Sequence, residues 1–316
     1  MSIYNSVFDT PTTVTHQAQD YIYSCRSEST RIAYQRDWNH FCEWCSARQL
    51  EALPATPNMI AEYLTDMAEL YKPITLGRRL ASISVAHQMR DHSSPTTNML
   101  VRNTLSGIRR RHGVATTRKT PIRASNLRQA MEILPNDLTS LRNKALLMLG
   151  YMGALRRSEL VAINVDDIEF VEQGMRLTLR RSKTDQEGRG ITMGIGYGEH
   201  ARTCPVKALQ SWLDAAKITD GPVFRAISRH GRIRSTRLVG RTVATIIKST
   251  ASKLDINPDT VSGHSLRSGF ITDQYAAGTA EAIIMERSRH KSHSVMSIYR
   301  READMFAFNY TAAVGL

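Results

Sequence analysis

Cysteine is scarce in this chain. Its 316 residues include four, Cys25, Cys42, Cys45 and Cys204, too few and too scattered for a disulfide framework. Cys42 and Cys45 form one C-x-x-C, but "FCEWC" lies inside a helical pattern. No second Cys or His pair follows at zinc-finger spacing, so both read as small core residues. Long apolar runs are missing too, and none approaches the ~20 residues a membrane helix needs. The opening MSIYNSVFDTPTTV lacks the basic-then-apolar order of a secretory signal, so a cytoplasmic protein with no membrane partner is expected. There is no clustered set of carboxylates to hold a divalent ion, and no G-x-x-x-x-G-K-[ST] loop for a nucleotide. Both absences agree with the expectation of no cofactor and no metal.

Acid is short relative to base, 29 Asp and Glu against 42 Lys and Arg, for a formal charge of +13 and a pI near 9.8. Such a balance speaks about partners and not about fold. It suits a polyanion, because each neutralised phosphate releases condensed counterions. The hydrophobic share, 41%, is that of a globular protein, and the length allows two domains with separate cores.

The first 112 residues read as a helical domain, with residues 1–22 expected to be flexible. "STRIAYQRDWNHFCEWCSARQ" places Tyr34, Trp38, Phe41 and Cys45 on one helical face. "ATPNMIAEYLTDMAEL" opens with a Thr56 cap and Pro57 at the first helical position. Two more helices follow, through Leu76, Leu80 and Ile83 and through Leu105 and Ile108, the last closing on Arg109, Arg110 and Arg111 before Gly113. Residues 113–124 repeat no apolar groups at helical spacing and carry Arg118, Lys119 and Arg123, so they read as a basic linker. A segment crossing a polyanion and an ordinary solvated tether explain that linker equally well. Residues 125–316 then mix helices with a small antiparallel sheet over about 167–195, whose turns are "EQG" and "DQEGRG". An apolar segment at 303–316 looks like a docking helix. The expected fold is mainly α with a small antiparallel sheet, in two domains.

Four stretches of the second half hold a cation or imidazole in a polar setting: "GALRRSEL", "RRSKTDQEGRG", "GHSLRSG" and "RSRHKSHSVMSIYRRE". Each alone has a bland reading. An Arg at a helix start is usually a surface residue, and an i, i+3 pair such as His264 and Arg267 usually caps or decorates a helix. His290 and His293 could offer two zinc ligands, but no third ligand stands at a telling distance. Taken together and in order, the four stretches resemble the signature of the tyrosine recombinase (phage integrase) family, and the layout looks closest to its Cre-like branch. The resemblance runs from about residue 25 to 305.

That resemblance implies a helical core-binding domain and an α+β catalytic domain that together clamp DNA. It also implies a site carried by Arg156, Glu159, Lys183, His264, Arg267 and His290, with Tyr299 as nucleophile. Ala154 and Arg289 depart from the family pattern, since both stand where glycine is usual. The implied reaction is site-specific recombination through a 3′-phosphotyrosyl bond and a Holliday junction. The implied partners are double-stranded DNA bearing an inverted-repeat site and further copies of the chain, a tetramer on two sites and a monomer off DNA. Arg78, Arg79, Arg109, Arg110, Arg118, Lys119 and Arg123 are candidate DNA contacts. A bacterial, phage or plasmid origin and a nucleoid location follow from the same likeness. A type IB topoisomerase would share this residue set, and an inactive DNA-binding relative would share the fold.

The residue types fit that chemistry on physical grounds. A free phenol has a pKa near 10 and attacks poorly at neutral pH unless cations stabilise its oxyanion. Two guanidiniums on the non-bridging oxygens cancel the charge of a phosphodiester and oppose what gathers in the transition state. Tyr310 is a rival phenol, but its apolar setting, "DMFAFNYTAAVGL", assigns it to packing.

Overall fold

Short polar caps start most helices of the first half. Thr15 caps α1 (His16–Ser24), Ser27 caps α2 (Glu28–Ser46) and Thr56 caps α3 (Pro57–Met67), each side chain accepting an otherwise orphaned N–H three residues on. Proline occupies the first turn of α3 and of α4 (Pro73–Gln88), where its missing N–H costs nothing. Asn98 caps α5 (Met99–His112), which ends at Gly113, where a φ of +72° suits a residue without a side chain. The computed structural model describes Phe8 and residues 15–114, 118–180 and 190–304, and the chain divides into two compact units, Met1–Thr117 and Arg118–Leu316.

In the first unit α2 packs on α4, and α3 on α5. Trp38, Phe41, Cys45, Ile60, Tyr63, Leu64, Leu76, Ile83 and Val101 form its core. Burial pushes the thiols of Cys42 and Cys45 up to about 12, as befits core residues. Helix α1 occupies part of the segment that sequence alone leaves flexible.

In the second unit, helices α6 (Ala124–Ile133), α7 (Leu138–Met152) and α8 (Arg157–Ala162) precede an antiparallel meander of β1 (Ile168–Val171), β2 (Gly174–Leu179) and β3 (Ile191–Gly196). Gly174 opposes Gly196 in register, and a Cβ at Gly174 would stand 2.2 Å from the Ile195 carbonyl, so this turn requires glycine. Then come α9 (Pro205–Ala216), a hairpin of β4 (Arg225–Ile227) and β5 (Ile233–Arg237), and α10 (Gly240–Lys253). Helices α11 (Ser265–Ala276), α12 (Glu281–Ser288) and α13 (His293–Asp304) complete it. The β4–β5 hairpin has no counterpart in the sequence-based expectation. Its strands are short, and the exposed positions of β5 carry Arg, Ser and Thr in a row, so no alternation of apolar residues announces it. Among the described residues no helix is long and apolar enough to cross a membrane.

Helix α11 lies deepest. Ser265 through Thr272 are all buried, with α7, α12 and α13 packed on it. On one side the chain at residues 120–122 runs against α11, and the Ile122 N–H donates to the Ser265 carbonyl at 2.9 Å. Arg237, at the end of β5, donates to the carbonyls of Val161 and Ile163 at 2.5 and 3.2 Å and thereby holds the end of α8. The starts of α8 and α11 carry the residues that follow.

Candidate active site

Arg156 stands at the N-cap of α8, and Glu159, three residues on, accepts from both its backbone and its side chain. The Arg156 N–H donates to Glu159 Oε2 at 2.9 Å, and its guanidinium Nη1 donates to Oε1 at 2.6 Å. Glu159 is only 3% exposed. Burial would push its carboxyl up, but Arg289 and Arg156 outweigh that and hold it below the usual carboxylate value.

Arg267, on the buried face of α11, is fully buried. Its Nη1 donates to the Ala154 carbonyl at 2.8 Å and its Nη2 to the Ser288 carbonyl. Burial, and then the cations of Arg156 and Arg289, push its guanidinium down to about 9, so it stays charged near neutrality. His290 lies 3.4 Å from Arg267 Nη2, and its Nδ1 lies 2.9 Å from the Ser288 hydroxyl. Burial and the same ring of arginines push the His290 imidazole down to about 3, which leaves it neutral at physiological pH.

Helix α13 brings Tyr299 onto this group. Its hydroxyl lies 3.3 Å from Nε2 of His264, at the start of α11, and its ring centroid lies 6.1 Å from that of His290. Arg156, Glu159, His264, Arg267, His290 and Tyr299 thus converge from four separate elements. Lys183 lies outside the described residues, as do Tyr310 and most of the expected docking segment 303–316.

The arrangement contains a residue that the motif reading passed over. Arg289, 6% exposed, donates from Nη2 to Glu159 Oε2 at 2.8 Å and to the Ala154 carbonyl at 3.0 Å. The only sign of it in the sequence is its place where glycine is usual.

The DNA-contact candidates scatter. Arg109 and Arg110 are exposed in the last turn of α5, and Arg78 is half-exposed, with Nη2 3.1 Å from Asp37. Arg79 is different. It is 5% exposed, and its Nη1 donates to His40 Nδ1 at 2.7 Å and to the Tyr63 hydroxyl at 2.6 Å. Its guanidinium also lies 3.8 Å from the Tyr71 ring centroid. It stands on the buried side of α4, one residue round from Arg78, and serves the core of the helical unit. Arg118 and Lys119 are exposed, whereas Arg123 is ion-paired with Asp273.

Chemically, the second unit offers a phenol beside an imidazole, with the guanidiniums of Arg156 and Arg267 and a second imidazole close by. Residues 121–305 match the phage integrase family. An integrase/recombinase xerD homolog of Selenomonas ruminantium is 36% identical over 288 residues, covering 90% of this chain and 84% of that protein. Tyrosine recombinase XerC of Roseiflexus castenholzii is 27% identical, covering 86% and 83%. Among solved structures, XerH recombinase bound to a palindromic difH substrate aligns with a TM-score of 0.68 at 14% identity, covering 99% of this chain and 93% of that one. A lambda integrase dimer on a COC′ core site aligns with a TM-score of 0.57 at 20% identity, covering 90% and 93%.

Proposed function

Because the chain belongs to the phage integrase family and is a tyrosine site-specific recombinase, we propose that Tyr299 is its nucleophile and that the residues gathered around it perform the cleavage. The Tyr299 oxygen attacks the phosphorus of a DNA phosphodiester. Its proton passes to His264 Nε2, 3.3 Å away, which is the observation that carries this reading. The bond from phosphorus to the 5′ oxygen breaks, and a 3′-phosphotyrosyl bond replaces it, so the energy of the phosphodiester is kept. The leaving 5′ oxygen takes a proton, a role the family pattern gives to Lys183.

Arg156 presents its fork to the non-bridging oxygens, while Glu159 fixes the direction of that fork. Arg267, fully buried behind, supplies charge that opposes what gathers in the transition state. With the Ser288 hydroxyl donating to Nδ1, neutral His290 keeps its proton on Nε2 for a phosphate oxygen. Rejoining reverses these steps with a 5′ hydroxyl from a partner strand, through a Holliday junction.

The partner is DNA, in keeping with the +13 charge. Of the candidates, Arg78, Arg109, Arg110, Arg118 and Lys119 keep exposure enough to meet phosphates. An inverted-repeat site, a tetramer on two duplexes and a cytoplasmic, nucleoid-associated protein complete the proposal.

Covalent trapping tests it. Wild type, Tyr299→Phe and Tyr310→Phe are incubated with nicked fragments of the source replicon and run on a denaturing gel. An adduct lost only in Tyr299→Phe is expected, and sequencing of the attached DNA then yields the site. An adduct that persists in Tyr299→Phe sinks the assignment. Recombinant junctions formed on the recovered site separate this activity from supercoil relaxation.

A further inference from the structure

Two residues near the reacting groups have left-handed backbones without being glycine: Ala154 at φ +45° and Arg289 at φ +56°. For an L residue that conformation is disfavoured by contact of Cβ with the neighbouring carbonyl, so something must hold it. Arg289 is the C-cap of α12, a position where glycine is the usual choice. Here the side chain that glycine would lack turns inward. Its Nη1 donates to the Gly153 and Arg287 carbonyls at 3.2 and 2.9 Å. Its Nη2 donates to the Ala154 carbonyl at 3.0 Å and to Glu159 Oε2 at 2.8 Å. One guanidinium therefore ties the 287–290 turn to the 153–154 turn.

Glu159 sits between two guanidiniums. Oε1 accepts from the Arg156 side chain, and Oε2 accepts from the Arg156 N–H and from Arg289. The Ala154 carbonyl is likewise shared, accepting from Arg267 at 2.8 Å and from Arg289 at 3.0 Å. The next residue after Arg289 is His290. Arg289 itself is 6% exposed and lies behind these groups, so its contacts are with the residues that would hold a phosphate.

We propose that Arg289 is a positioning residue for strand cleavage: through Glu159 it sets the fork of Arg156, and through the 153–154 turn it sets Arg267 and His290. The proposal rests on the assignment of Tyr299 as nucleophile. A buried carboxylate with a single cationic partner can swing toward it, whereas one clamped from both sides cannot. Among the described residues, a glycine at 289 leaves Glu159 with the cation of Arg156 and the two turns joined through Arg267.

The test uses full-length protein and a nicked duplex carrying the site recovered from wild-type adducts, with single-turnover adduct formation and DNA affinity measured separately. Arg289→Gly relieves the left-handed backbone while removing the guanidinium, so it is expected to fold and to bind DNA as wild type does. Adduct formation is expected to slow on the order of 10²-fold, the usual consequence of a displacement of about 1 Å near reacting atoms. Arg289→Lys keeps the charge beside Glu159 but not the fork, and an intermediate rate is expected, a graded response that lost stability alone would not produce. In a Glu159→Gln background, Arg289→Gly should cost clearly less than it does alone, because the share routed through Glu159 is already lost and only that through the 153–154 turn remains. Wild-type adduct rates in Arg289→Gly overturn the proposal, and so does a full multiplicative loss in the double variant. Should Arg289→Gly fail to fold, Arg289→Lys decides alone, a wild-type rate refuting the role. A Tyr299→Phe control in the same assay separates failure of this proposal from failure of the nucleophile assignment.

Discussion

Gly269 is where packing and chemistry meet most tightly. A Cβ added there would stand 1.8 Å from the Ile122 carbonyl oxygen and 2.5 Å from its carbon, both backbone atoms that no rotamer change can move aside. An acceptable C···O contact is about 3.3 Å, so Gly269→Ala must push α11 and the 120–122 segment apart by about 1.5 Å. Overpacking against backbone costs about 3 kcal/mol. The hydrogen bond from the Ile122 N–H to the Ser265 carbonyl is strained or lost, about 1 kcal/mol more, while alanine's better helix propensity offsets about 1 kcal/mol. A net loss of about 3 kcal/mol in a unit of this size lowers its Tm by roughly 6–12 °C. Calorimetry of the full chain, with Gly269→Ala beside wild type, measures it. Because α11 carries Arg267 and begins at His264, the same displacement should slow adduct formation on the order of 10²-fold at a temperature where the variant is folded. A Tm within about 2 °C of wild type, which corresponds to at most about 1 kcal/mol in a unit of this size, would refute the steric reasoning. A lowered Tm with an undiminished cleavage rate would refute the link from α11 to the site.

Gly107, inside α5, makes the opposite case: a Cβ there meets nothing within 4 Å, so Gly107→Ala should stabilise the helical unit by about 1 kcal/mol. Native-state hydrogen exchange over α2–α5 reads this, and lowered protection would contradict it. His87, fully buried, accepts the Ala55 N–H at Nε2 (2.9 Å) and donates from Nδ1 to the Ile83 carbonyl (2.8 Å), so it has no room for a second proton. Burial, with a smaller push from His92, holds its pKa below the ordinary 6.5. The unfolded chain then binds more protons in that window, so stability is full above about pH 6.5 and declines as the pH falls below it. Exchange protection of α2–α5, corrected for intrinsic rates, should drop between pH 7.5 and 5. His87→Gln should flatten that fall, and an unchanged slope would assign it to another group.

Much of this protein follows from its sequence. Caps, prolines and apolar spacing locate the helices, because a helix start and its buried stripe are local properties of the chain. The β-rich segments on either side of the "EQG" turn locate the three-stranded sheet, and the ordered motifs name residues that the fold brings together at Tyr299. The tertiary structure decided what depends on partners distant in sequence. Arg78 and Arg79 are neighbours of one residue type, and only the position of α2 and α3 leaves one half-exposed and buries the other against His40 and Tyr63. The β4–β5 hairpin carries almost no period of its own. Arg289 looks from sequence like a tolerated departure at a turn. Its role arises because Glu159, 130 residues earlier, lies at the other end of its guanidinium, a distance that folding alone removes.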